Sequence, residues 1–390
     1  MTLSLPAPAW PGTPGPVRRF VPAMPTLWPA MLSPGGQATT FPFGAPRATF
    51  YYLARNALFH GARLLGLEGA EVLVPAYHHG VEVGALVAAG ATPVFVRVDG
   101  AMRLDLEDAE RRIGPRTRAL HVIHYAGFAQ PMADVLALAR RRGLKVIEDC
   151  ALSLFASEDG RPLGSSGDLA IFCLYKTLPV PNGGALVVND PALPAVARPQ
   201  GAPLVSTLSH ATGSLLQNLA LRLGPPGEAL RGAARRGYAA VRGASGLRPV
   251  STGTMDFDPA HVDLGMSRLS WRIARHTDAG GIVRARRRNF ALLLARLRDV
   301  SPPVHEVLPR GASPLFYPLV CPDKARVAAR LAAAGIETVD FWDRGHPLCR
   351  EEDFPEVARL RRHVLELPCH QDLGPEDMSW VARCAREALR

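Results

Sequence analysis

Lysine is scarce in this chain. Lys145, Lys176 and Lys324 are the only three, so an amine able to form a Schiff base with a carbonyl has few places to be. Lys145 opens a short apolar strand pattern, and Lys324 sits in a Pro-Asp-Lys helix start, which reads as a solvated cap. Lys176 follows the apolar run 170–175 and precedes 179–184, a loop of Pro, Val, Asn and Gly that lets backbone approach a ligand. In an open parallel sheet ligands gather beyond the carboxyl ends of the strands, and Lys176 is the lysine placed there. Asp149 ends the strand pattern 145–149 and puts a carboxylate at the same edge. A Schiff-base amine could hold a pyridine aldehyde, and an acid could keep its ring nitrogen protonated, so that the ring acts as an electron sink. The ordinary alternatives are a surface lysine and an aspartate serving as a helix N-cap. The spacing between the two residues does not choose.

The elements that must position them alternate. Helical spacing over 54–65, 81–89, 105–113 and 132–142 is interleaved with strand patterns at 71–75, 92–98, 119–125, 145–149, 170–175 and 184–188. Such alternation predicts right-handed crossovers and a mostly parallel central sheet flanked by helices, an α/β fold. Residues 1–45 are proline-rich and read as an extended arm over the body or across a partner subunit. Residues 46–260 form the large domain. Within it 191–260 is a helical or irregular insertion with an amphipathic stretch at Leu215, Leu216, Leu219 and Leu223, for which packing on the same protein is favoured over a lid, a dimer contact or a membrane-surface helix. Residues 261–390 form a smaller α+β domain: a long helical region, strand 314–320, helix 324–334 closed by Gly335, strand 336–342, strand 364–369 and a helix from Pro375.

Bulk properties exclude more than they assign. A chain of 390 residues, 47% hydrophobic, suits two soluble domains. The apolar stretch 81–98 is broken by Glu82 and several glycines, short of a membrane span. The N-terminus lacks the pattern of a secretory signal, which predicts a cytoplasmic protein. The six cysteines show neither zinc-site spacing nor disulfide-scaffold density, so reduced thiols and no metal are expected. The net charge of +10 is almost all arginine, scattered and without a nucleic-acid motif. It predicts no nucleic-acid partner.

Several segments carry a family resemblance. The runs 147–151 (Ile-Glu-Asp-Cys-Ala) and 162–172 (Pro-Leu-Gly-Ser-Ser-Gly-Asp-Leu-Ala-Ile-Phe), then Lys176, then 182–187 (Asn-Gly-Gly-Ala-Leu-Val) resemble the DegT-type family of sugar aminotransferases. So do 68–77, 89–99, 116–127, 334–338 and 365–370, all in order along the chain. The resemblance implies a divergent branch of the fold-type I enzymes that depend on pyridoxal 5'-phosphate (PLP).

Carried over position by position, it makes Lys176 the Schiff-base lysine and proton shuttle, and Asp149 the partner of the ring nitrogen. His79 falls where the family has an aromatic residue stacked on the ring; a hydrogen-bonded loop histidine is the alternative. The helix start at Ala54, Arg55 and Asn56 would offer amides to the phosphate. Cys173 is the nearest small polar group to the family's phosphate-binding serine. Arg268 matches a segment that reaches into a neighbouring subunit's site. Asn182, and His124 and Tyr125 at a strand end, are weaker substrate-side candidates. The chain departs from the family at several points: Leu152 replaces a Gln or His on the PLP hydroxyl, Ile171 replaces the serine, the loop there is two residues shorter, and the helix start reads Ala54-Arg55-Asn56 where the family has Ser-Gly-Thr.

The implied function is transfer of an amino group from a donor such as glutamate to a keto group on a nucleotide-linked sugar, by a homodimer. The rivals are PLP chemistry on another amino acid substrate, and a non-catalytic scaffold or regulator of a polysaccharide pathway.

Overall fold

A computed structural model describes residues 19–34, 36–245, 250 and 257–390. The elements in chain order are β1 (Ala48–Tyr51), α1 (Ala54–Leu64), β2 (Glu71–Pro75), α2 (Val81–Ala88), β3 (Thr92–Val96), α3 (Leu106–Arg111), β4 (Thr117–Ile123), α4 (Met132–Arg142) and β5 (Lys145–Asp149). There follow the small hairpin β6 (Ser157–Glu158) and β7 (Arg161–Pro162), then β8 (Leu169–Cys173), β9 (Gly184–Val188), α5 (Leu204–Leu223) and α6 (Pro225–Ser245). The C-terminal part adds α7 (Arg268–Ala274), α8 (Ala279–Leu297), β10 (Phe316–Val320), α9 (Lys324–Ala333), α10 (Pro355–His363), β11 (Val364–Pro368) and α11 (Pro375–Leu389).

The main sheet has seven strands in the order β1-β9-β8-β5-β4-β2-β3. β3, β2, β4, β5 and β8 run parallel, and β9 and β1 close one side antiparallel. Central strands covered on both faces read as continuous apolar runs, and every residue of β8 and β9 is buried. This is the fold-type I architecture implied by the family resemblance. α4 ends at Gly143, whose φ of 66° is the left-handed cap expected there.

The direction of β9 decides where Lys176 goes. An antiparallel neighbour needs no crossover helix. The β8–β9 connection therefore stays at the carboxyl edge of β8, and Lys176 lies in it. Gly184 is needed at the far side of that loop: a Cβ there would meet the backbone of Leu53 and Ala54 at 2.3–2.4 Å. The start of β9 thus presses on the start of α1 and holds that helix end at the same edge.

The described part of the N-terminal arm lies over its own subunit. Val21 pairs with Ile336, Thr26 Oγ1 donates to Asp372 at 2.8 Å, and the Leu27 amide donates to Ser214 in α5 at 2.8 Å. Residues 1–18 lie outside the described residues. The insertion folds into the two long helices α5 and α6, which pack on each other. Leu215 packs into the core, but Leu223 stays 56% exposed, so the expected apolar stripe is only partly used.

In the C-terminal part, β10 and β11 pair antiparallel beside α8, α9 and α11. The strand expected over 336–342 is not regular. Ile336 bridges to the arm and Val339 to Glu366, and the chain then turns off towards the large domain. The apolar pattern there reflects burial of Val339, Phe341 and Trp342 in one cluster with Tyr77, Ile123 and Ile171 rather than a ladder.

Candidate active site

Parallel strands bring their carboxyl ends to one edge, and a cleft opens there. Its empty space is about 1060 Å³ including the open mouth. Lys176, Asp149, His79, Ala54, Arg55 and Cys173 line it together. Leu152 and Ile171, two of the departures, line it as well.

Asp149 faces the cleft because it shares a sheet face with its register partner Ile123, also in the wall. It is buried, and both oxygens are held: Oδ1 accepts the Ala151 amide at 2.8 Å, and Oδ2 contacts His121 Nε2 at 3.2 Å. Each oxygen keeps a lone pair for a further donor. His121 was not foreseen. The available signal was its spacing from Ile123, two residues apart on one strand and hence on one face.

Lys176 is half-buried, with Nζ 4.8 Å from the Phe341 ring centroid. Its loop is clamped from the C-terminal part. The carbonyl of Thr177 accepts Arg286 Nη2 at 3.3 Å and Gln371 Nε2 at 2.9 Å. The Arg286 guanidinium, fully buried, also donates to the carbonyls of Pro314 and Leu315 at 3.1 and 3.0 Å. In the sequence it was one of three consecutive arginines, indistinguishable from a solvated run.

His79 sits in the wall with its amide donating to Glu82 Oε1 at 2.8 Å and its Nδ1 buried without a partner among the described residues. Burial pushes its pKa down to about 4; Glu82 opposes this, and the Lys176 and Arg55 charges add to it. The ring is therefore neutral at pH 7. Arg55, in the first turn of α1, hydrogen-bonds Tyr175. The cap position Leu53 supplies no side-chain acceptor to the helix start. Burial raises the Cys173 thiol, so it is present as a neutral, weak donor.

Other expected residues lie elsewhere. Asn56 turns away, its Nδ2 donating to the carbonyl of His261 at 2.8 Å. His124 is on the opposite face of the sheet against Glu148, 3.1 Å away. Tyr125 is buried with its hydroxyl donating to the Tyr77 carbonyl at 2.6 Å. Asn182 Oδ1 accepts the Ser267 amide at 2.8 Å and the Ser270 hydroxyl at 3.1 Å, tying the loop to α7. A strand end marks an edge but not the direction a side chain takes beyond it, and these three are consumed by packing. Arg268, the first residue of α7, is exposed and outside the cleft. The remaining wall was not legible: Met24 from the arm, Glu82 from α2, Tyr175, and Asp340, Phe341 and Trp342.

Lys176 and Asp149 share one cleft at the carboxyl edge of this mostly parallel sheet, the place where the fold-type I architecture opens its site. Residues 54–211 match the model of the DegT/DnrJ/EryC1/StrS aminotransferase family. The chain is 36% identical over 129 residues to the GDP-perosamine synthase of Escherichia coli O157:H7, covering 32% of this chain and 35% of that one. It is 38% identical over 141 residues to the UDP-N-acetyl-3-dehydro-alpha-D-glucosamine 3-aminotransferase of Acidithiobacillus ferrooxidans, covering 35% and 38%. These matches span just over a third of the relatives' length. Among solved structures, the putative sugar aminotransferase Spr1654 of Streptococcus pneumoniae in its PMP form superposes with a TM-score of 0.67 at 14% identity, covering 95% of this chain and 97% of that one. DesI with its TDP-sugar product superposes with a TM-score of 0.67 at 22% identity, covering 97% and 95%. At these identities the superpositions establish the fold, over nearly the whole chain.

Proposed function

We propose that this protein is a PLP-dependent aminotransferase that moves an amino group from a donor such as glutamate to a keto group on a nucleotide-linked sugar. The observation that carries the proposal is that Lys176 and Asp149 line the same cleft. The other wall residues fit the cofactor. Asp149 has acceptor capacity left for a pyridine N–H, the neutral His79 ring offers a face for stacking, and the α1 start with Arg55 offers positive charge for a phosphate. When bound, PLP supplies the electron sink. Lys176 is the residue that would hold it and, once released, move a proton at Nζ. His121 orients Asp149. The apolar wall of Leu152, Ile171, Phe341 and Trp342 excludes water.

The proposal includes a cytoplasmic homodimer. All six cysteines are free thiols, which suits a reducing compartment, and no helix among the described residues is long and apolar enough to cross a membrane. Arg268, exposed at the start of α7, is available to a neighbouring subunit's cleft.

The test is spectroscopic. Purified protein with PLP should show a visible absorbance band that Lys176→Ala abolishes, and L-glutamate should bleach it. A colourless wild-type protein that ignores added PLP would sink the proposal. A second reading draws on Leu152 and Ile171, which place hydrocarbon where the family has polar contacts: a scaffold or regulator of a polysaccharide pathway. PLP occupancy near zero in a stable, partner-binding dimer selects it.

A further inference from the structure

Glu82 has no part in the chemistry described so far. It lies in the first turn of α2, 8% exposed, in the cleft wall beside His79. Its two oxygens differ. Oε1 accepts the His79 amide at 2.8 Å, which fixes the side chain. Among the described residues, Oε2 is buried with no hydrogen-bond partner. An ionised carboxylate only accepts, and a buried acceptor left bare costs about 1–3 kcal/mol. The other carboxylates of the wall are engaged: Asp340 by Lys324 at 2.6 Å, and Asp149 by His121 and the Ala151 amide.

Bound PLP has no donor to spare for Glu82. Its pyridine N–H belongs with Asp149, and its phosphate and phenolic oxygens are acceptors. The missing donor therefore arrives with the substrate. We infer that Glu82 Oε2 is a substrate-recognition group that accepts a hydrogen bond from an N–H or O–H donor, either the ammonium of the amino donor or a hydroxyl of the sugar acceptor. The inference rests on the aminotransferase proposal and deepens it. A carboxylate at this point also repels substrate carboxylates and phosphates, so the anionic ends of either substrate are directed away from α2 and towards the cationic side of the cleft.

Glu82→Gln separates the two oxygens. It keeps an acceptor for the His79 amide and turns the free acceptor into an NH2 donor, reversing polarity there without removing the brace. Holoprotein is titrated with L-glutamate, followed by the visible band, and by calorimetry with UDP-glucose, GDP-mannose and dTDP-glucose. Glu82→Gln should weaken glutamate or the preferred nucleotide sugar by about tenfold or more, with PLP absorbance and melting temperature as in wild type. Weakening confined to glutamate identifies the ammonium as the donor; weakening confined to the nucleotide sugar identifies a hydroxyl. Affinities all within about twofold of wild type overturn the inference, and so does loss of PLP itself, which would make Glu82 a cofactor ligand. A wild-type protein lacking the band is a separate failure, visible before any substitution, and removes the aminotransferase proposal and this inference together.

Discussion

Two histidine–carboxylate pairs sit back to back on the same pair of strands, and they have opposite characters. On the cleft face of β4 and β5, His121 meets Asp149 at 3.2 Å; on the other face His124 meets Glu148 at 3.1 Å. Glu148 is saturated. It also accepts the amides of Gly164 at 2.9 Å, Ser166 at 2.8 Å and Gly167. Burial works to raise its pKa, but His124 and the Gly167 and Gly164 amides outweigh burial and hold it below the usual carboxylate range. His124 Nδ1 accepts the Gln130 amide at 3.1 Å, so Nε2 carries the proton donated to Glu148. Although His124, Glu148 and Cys150 have the spacing of metal ligands, protein donors already use His124 Nδ1 and the Glu148 oxygens. Asp149 instead receives only the Ala151 amide and His121. The difference teaches that adjacent acidic residues on one strand divide into a saturated structural anchor and a group with acceptor capacity to spare by what each face of the sheet offers.

Substitution at the two carboxylates should break this comparison if it is wrong. Glu148→Gln puts an amide NH2 among backbone donors in a dry site and should cost about 3 kcal/mol of stability, measured by urea denaturation. Asp149→Asn should leave stability close to wild type while weakening PLP about tenfold to a hundredfold, the worth of a charged hydrogen bond. If Asp149→Asn unfolds the protein and Glu148→Gln bleaches it, the roles are reversed.

The histidines sharpen it. His121→Leu removes the donor that orients Asp149 and should weaken PLP about tenfold, with partial rescue by His121→Asn. Equal PLP dissociation constants in wild type and His121→Leu would reduce His121 to packing.

A third buried acid adds a pH dependence. Burial raises the Glu366 pKa to about 8, with Asp340 adding to it and Lys324 opposing. The folded state then keeps a proton that the unfolded chain releases above about pH 4.5. Stability contributed by that proton is complete below pH 4.5 and is lost as pH rises to about 8. Glu148, depressed rather than raised, acts oppositely: its contribution is present above its unfolded pKa and lost in acid. Glu366→Gln should therefore flatten the fall in melting temperature between pH 5 and 8 and leave the acid limb intact. An unchanged slope would mean that Glu366 is ionised in the folded protein.

Much of the large domain was legible in sequence because parallel strands carry strong local signals. β2, β5, β9 and α4 match their expected spans, and their residue patterns identify them without neighbours. Lys176 and Asp149 were legible as residues at strand ends. The failures share a cause. β1 is a short edge strand defined by pairing with β9, and the segment 336–342 is shaped by contacts with Val21 and Glu366. His124, Tyr125 and Asn182 lie near the correct edge but spend their polar atoms on Glu148, Tyr77 and α7. Arg286 and Glu82 looked like ordinary charges on amphipathic helices, since helical periodicity does not distinguish a buried clamp from a solvated face.

Sequence alone determined most of the strand and helix order over 54–188, the scarcity of lysine, and hence which amine and which acid could meet at a sheet edge. These are local properties, set by side-chain spacing along a single element. Tertiary structure decided the rest: that Asp149 faces the cleft and Glu148 does not, that residues 340–342 close the cleft, and that one oxygen of Glu82 is left without a donor. Those outcomes depend on which groups from distant segments satisfy each buried polar atom, and the relation exists only after the chain has packed.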